Sequence, residues 1–137
     1  MSGIPHYHLD ANVLLRFILG DHKEHSPRAA RLIQQANQGK AVLHVSAVAV
    51  TEVFYVMKSF YRIERKKTAQ DIAALLGAPA FHVVERDRIM HTLARVQAAN
   101  VDFADAYLAA TAAETGKAIA SFDRDLDKFK DVKRYKP

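Results

Sequence analysis

The 137 residues contain no cysteine. Disulfides, thiolate-ligated zinc and a cysteine nucleophile are therefore excluded, and a reducing compartment is a natural setting. No membrane span is in view near the start either. The apolar segment there is interrupted by Asp10, Asn12 and Arg16 and is too short for a bilayer. The first residues also lack the basic flank and small-residue cleavage site of a secretory signal, so a soluble, cytoplasmic protein with no membrane partner is expected. Linkers, internal repeats and low-complexity segments are missing, which leaves one domain over residues 1–137. No HExxH or other paired histidine motif occurs. His6 and His8 share one face of the first apolar segment, whereas His44, His82 and His91 are scattered, so the histidines read as core or surface residues.

What is present alternates between strand and helix signals. HYHL reads as a short buried strand, and Asp10 follows it as the N-cap of the helical run VLLRFIL. Ser26-Pro27 suits a cap and first-turn proline for a second helix, which carries Ala29, Ala30, Leu32, Ile33 and Ala36 and stops at Gly39. AVLHVS is a second strand, and Ser46 caps a third helix with Val50, Val53, Phe54 and Met57 at core spacing. Thr68 is expected to cap AQDIAALLG. FHVV is a third strand, and residues 86–99 form a helix with Ile89, Leu93 and Val96 on its stripe. A helix with Asp102 at its start follows, then the strand AIASF, a short turn, and an edge strand near Val132. Strands separated by helices of this length imply an α/β fold, a parallel sheet flanked by helices on both faces.

The formal charge is +5, with basic clusters at Lys58, Arg62, Arg65, Lys66 and Lys67 and again from Arg124 to Lys136. Such clusters suit solvated helix faces or a polyanionic partner. The informative carboxylates lie instead in apolar settings. Asp10 ends the first strand, Glu52 sits within AVAVTEVFYVM, Asp105 within FADAYLAATAA, and Asp123 ends the last apolar strand. No basic residue is within sequence reach of Glu52 before Lys58, or of Asp105 along its helix before Lys117. Carboxylates converging without matched cations repel one another and raise their pKa values. A divalent cation relieves that conflict, and hard oxygen ligands suit Mg2+ or Mn2+. Each residue also has a plainer role: Asp10 as a cap, Glu52 as an exposed helix residue, Asp102 as the cap of the Asp105 helix, Asp123 as a turn aspartate.

Four motifs in order carry a resemblance: strand-Asp10-Ala-Asn12-Val-Leu-Leu, Thr51-Glu52-Val53, Asp102-Phe-Ala-Asp105-Ala-Tyr-Leu-Ala-Ala, and Ser121-Phe-Asp123-Arg-Asp125-Leu. Together they are similar to the PIN domain and, more narrowly, to the VapC toxins of bacterial toxin–antitoxin systems. The resemblance implies a PIN-like, Rossmann-like fold and a metal-dependent endoribonuclease that cuts RNA. It maps the acidic quartet onto Asp10, Glu52, Asp105 and Asp123 as catalytic metal ligands, with Asn12, Asp102 and Ser121 in support. It also implies a cognate antitoxin and a homodimer. Ala11 stands where the family often has a hydroxyl residue, and Ser121 where it often has threonine; Asp102 and Asp125 leave room for a neighbouring ligand.

Two rival readings compete with this one. A phosphatase of the haloacid-dehalogenase kind needs a second aspartate two residues after the first, where this chain has Asn12. A non-catalytic RNA- or protein-binding module of the same fold would not need the full acidic set. The aromatic run Val53-Phe54-Tyr55, with Phe60 and Tyr61, is expected to form part of a dimer or antitoxin surface.

Overall fold

Local sequence signals and the hydrogen-bond ladder agree on alternating strands and helices. The structure, a computed structural model, describes residues 3–137. Its elements run β1 (His6–His8), α1 (Ala11–Leu19), α2 (His25–Asn37), β2 (Val42–Val45), α3 (Ala47–Tyr55), α4 (Arg65–Leu76), β3 (Phe81–Val83), α5 (Arg86–Ala99), α6 (Phe103–Thr115), β4 (Ile119–Ala120) and β5 (Arg134–Tyr135). A π-helical turn, Val56–Phe60, extends α3, and a 3-10 helix spans Arg124–Lys128. The expected α/β class with a parallel sheet is present. No helix of the described residues is long and apolar enough to cross a membrane.

β1, β2 and β3 form one parallel ladder, with Tyr7 opposite Leu43 and Leu43 opposite Phe81. Each crossover is helical, as parallel pairing requires. β4 pairs with β5, also in parallel, as a separate two-stranded piece. The last strand thus lies two residues beyond the expected position near Val132. Period-two alternation sorts the side chains: Leu43, Val45, Phe81 and Val83 are buried, while Val42 and His44 are half-buried and His82 is exposed. Leu14, Met57, Ile72, Ile89, Leu93 and Val96 join the buried set from four helical segments. Gly116 takes the left-handed conformation that ends α6, φ 71°, and donates its N–H to Ala112 O, turning the chain into β4.

Three local expectations are corrected. The first strand is not buried: His6, Tyr7 and His8 are all exposed and only Leu9 is covered, because β1 lies at the edge of its ladder. Helix α2 begins at His25, before Ser26. The Ser26 hydroxyl donates to Arg16 O and accepts from His22 N, tying α1 to α2 instead of capping. Helix α4 begins at Arg65, so Thr68 is inside it and fully buried, its hydroxyl donating to Ile63 O. Ser46 behaves as expected and accepts from Ala49 N at 3.1 Å.

Truncating a fully buried stripe residue tests this packing. Leu93→Ala is expected to lose about 2–5 kcal/mol of unfolding free energy in urea. Phe60→Ser, at a side chain left 77 % exposed in the single chain, is expected to change the stability of the monomer by less than about 0.5 kcal/mol.

Candidate active site

Of the carboxylates singled out by sequence, Asp10, Asp102, Asp105 and Asp123 lie at or next to element starts, and Glu52 lies within α3. Asp10 follows β1 directly, beyond the ladder bond from Leu9 N to His44 O. It occupies the N-cap of α1 with extended backbone, yet its side chain makes no capping bond and is exposed. Its carboxylate is therefore free for other work. Asn12 is exposed on the first turn of α1 and lines a cavity of about 550 Å³ with Val13, Arg16, His22 and Arg28.

Glu52 is exposed, although its sequence neighbours are apolar. Helix α3 buries Ala49, Val50, Val53 and Phe54 and turns Val48, Thr51, Glu52 and Tyr55 outward. Neighbours along a helix point to different faces, so an apolar run does not enclose the acidic residue within it. The expectation of apolar surroundings for Glu52 is corrected accordingly.

Asp102 and Asp105 stand at the N-cap and on the first turn of α6. Phe103, buried between them, packs on Phe54 with ring centroids 5.7 Å apart and so docks this helix end against α3. The sequence makes Asp102 the expected cap of α6. It holds that position, but its side chain makes no cap bond and takes Lys58 Nζ at 2.7 Å and Arg65 Nε at 3.0 Å. Burial raises the Asp102 pKa, but the hydrogen bonds and charge of Lys58 and Arg65 outweigh it and hold the carboxyl below its usual range. These two cations were visible in the sequence only as members of a basic cluster, since their partner lies 44 and 37 residues away.

Asp105 has the opposite balance. It is half-buried, and burial first, then the charges of Asp123, Asp102 and Asp125, push its carboxyl above the usual range, with Arg65 opposing. Asp123 is exposed and starts the 3-10 helix: its Oδ1 accepts from Asp125 N at 2.9 Å, while Ser121 Oγ accepts from Asp123 N at 3.0 Å. The strand AIASF is shorter than expected, so Asp123 lies three residues beyond β4 in a tight turn. Ser121 thereby fixes the direction of the Asp123 backbone.

The structure thus brings Asp105 into one electrostatic group with Asp123, Asp102 and Asp125. Asp10 and Glu52 are not among the charges acting on Asp105. They belong to elements packed in series, α1 on α3 and α3 on α6. Among the described residues, no three acidic or histidine side chains surround one point at ligating distance.

Comparison with protein-family models gives a match to the PIN domain over residues 7–132. No curated protein matches the chain.

The two carboxyls at the start of α6 should move stability in opposite directions. With its folded pKa raised, Asp105 contributes stability below its unfolded value of 3.8 that is lost as pH rises through the folded value. Asp105→Asn is therefore expected to melt higher than the parent at pH 7 without divalent ions, the difference closing below pH 3.8. Asp102, held low, contributes stability above 3.8 that is lost as pH falls through its folded value, so Asp102→Asn should melt lower at pH 7. A calorimetric pH series checks both signs.

Proposed function

The chain belongs to the PIN-domain family, a nuclease-type fold, and from that premise we propose that it is a Mg2+- or Mn2+-dependent endoribonuclease of the VapC toxin type. The observation that carries this reading is the unmet negative charge at Asp105. Burial, Asp123, Asp102 and Asp125 raise its pKa, while Arg65, the cation that opposes them, is already committed to Asp102. An oxygen-only donor set under mutual repulsion is the environment that a hard divalent cation relieves. The donors fit in chemistry and field; with no three of them around one point among the described residues, they would have to draw in around the ion.

In this reading Asp10, Asp105 and Asp123 hold the ion, and Glu52 holds a second ion or orients the water. Asn12 positions Asp10 or the substrate phosphate. A bound ion there supplies charge stabilisation on the phosphodiester and a water of lowered pKa. The chain's own residues do the rest. Ser121 and the backbone N–H of Asp125 restrain Asp123 from both sides. Lys58 and Arg65 hold the start of α6, and with it the position of Asp105. The exposed cations Arg62, Lys66, Arg124 and Lys130 suit the RNA backbone, which makes binding steeply salt-dependent.

The same reading includes a homodimer and a cognate antitoxin. Of the aromatic run expected on that surface, Val53 and Phe54 are used inside the chain's own core. Tyr61 is half-buried, its hydroxyl accepting from Arg16 at 3.3 Å. Tyr55 and Phe60 remain 65 % and 77 % exposed, beside Val48 on the outer side of α3 and its π-helical extension. Apolar rings left in water at this level favour a covering partner.

Purified protein is expected to cut single-stranded RNA with Mg2+ or Mn2+ and not with a chelator. Asp10→Asn and Asp105→Asn should each lose on the order of a hundredfold or more, the scale of removing one group that manages charge in the transition state. Cutting by both variants at the parental rate would overturn the site assignment. No cutting and no divalent-ion binding by the parent would instead leave a non-catalytic binding module. Sedimentation should find a dimer that Tyr55→Ser with Phe60→Ser converts to monomer; a monomeric parent at high concentration contradicts the dimer.

A further inference from the structure

The histidines divide into two groups. The ladder register sets His8 beside His44 and His44 beside His82, so those rings meet one another on the sheet. His22 and His25 stand apart, in the connection after α1 and at the start of α2. Their rings stack, with centroids 4.1 Å apart and planes 5° from parallel. His22 Nδ1 accepts the backbone N–H groups of Glu24 and His25, at 3.2 and 2.9 Å. Those bonds hold the ring against its own loop and leave Nε2–H as its donor.

Both rings line the cavity of about 550 Å³ shared by α1 and α2. Val13, Ala29 and Leu32 supply its apolar wall, and Asn12, Arg16 and Arg28 the rest of its polar lining. No carboxylate of the described residues lines it. Arg16 is balanced by Asp21 at 3.2 Å and is held by the Tyr61 hydroxyl at 3.3 Å. Arg28 is exposed and has no acidic partner among the described residues, so its charge is unspent. The cavity begins beside the acidic group, at Asn12, two residues after Asp10. From Asn12 to Arg16 it follows α1 for one turn, roughly 6 Å, and continues to His22 past the helix end.

On the premise of the nuclease activity above, we propose that this cavity is a subsite for single-stranded RNA. It holds a nucleotide near the one cut, with the base stacked on the exposed ring of His25 and a backbone phosphate on Arg28. An apolar wall with a few convergent donors suits a ligand that is part ring and part anion. A flat imidazole stack takes the face of any base, whereas an acidic peptide would use the cations and leave the rings idle.

The test is anisotropy of a labelled single-stranded oligoribonucleotide with the full chain in chelator, where metal-dependent cutting is silent, across a salt series. His25→Ala is expected to weaken binding about fivefold or more, the scale of one lost stack, without changing the salt slope. Arg28→Ala should weaken it about threefold or more and lower the slope of log affinity against log salt by about 0.7, one phosphate contact. Lys40→Ala removes an exposed cation ahead of β2, at the opposite end of the parallel strands from Asp10, and should change neither readout. Parental affinity in either His25→Ala or Arg28→Ala, or no RNA binding by the parent, overturns the subsite even if Mn2+ supports cutting. Binding that depends on both residues, in a chain that cuts nothing with Mg2+ or Mn2+, supports the subsite and overturns only the nuclease reading.

Discussion

The start of α6 depends on one ionic junction, in which Asp102 takes Lys58 from the π-helical turn and Arg65 from the first turn of α4. Four aspartates share that neighbourhood, and without counter-charge they would push the helix end away from the turn that carries Asp123. The junction is partly exposed, with 43 % of the Asp102 side chain accessible, so each pair contributes only about 0–1 kcal/mol. Its effect is positional. It binds three segments distant in sequence beside a buried Phe103 and engages Arg65, the cation that acts on Asp105. Asp105, one turn further on, is left half-buried with a raised pKa and no cation of its own.

That division of labour explains why two aspartates three residues apart have different fates. Asp102 faces the basic arm and is neutralised by it. Asp105 faces the turn after β4, where the approaching charge is negative. The site is therefore an imbalance that the fold tolerates because the rest of α6 is anchored through Ala106, Ala109 and Ala110 in the core. Such tolerated imbalance is a common mark of functional sites. The sheet's histidine row is a second polar concentration, with His6 stacked on His44 and His82 edge-on to it on an open face.

Much of this was legible in the sequence, for identifiable reasons. The stripe Ile89, Leu93 and Val96 announces α5 because helical period and burial coincide, and all three are fully buried. VLHV announces β2 because alternation and burial coincide there too. The parallel α/β order and the aspartates at element starts follow from the same patterns. Other features were hidden by physical causes. HYH looks buried because β-forming residues do not reveal that their strand is an edge. Ser26 and Thr68 look like caps because a hydroxyl serves a helix start and a tertiary backbone bond equally well. Glu52 looks enclosed because a linear run hides which helical face each residue takes. The Lys58 and Arg65 bonds to Asp102, and the alignment of His8, His44 and His82, are register effects between distant segments; single residues carry no trace of them.

The central proposal is that Asp10, Glu52, Asp105 and Asp123 act as one cation-binding group, drawn from the start of α1, from α3, from the start of α6 and from the turn after β4. Its most direct test is a Mn2+ titration of isotope-labelled protein, with paramagnetic broadening read at every backbone amide. Broadening should appear first at Asp10, Asp105, Asp123 and their immediate neighbours, extend to Glu52, and vanish in Asp105→Asn. Broadening centred elsewhere, such as on the histidine row, or an equal effect in Asp105→Asn, would contradict the account.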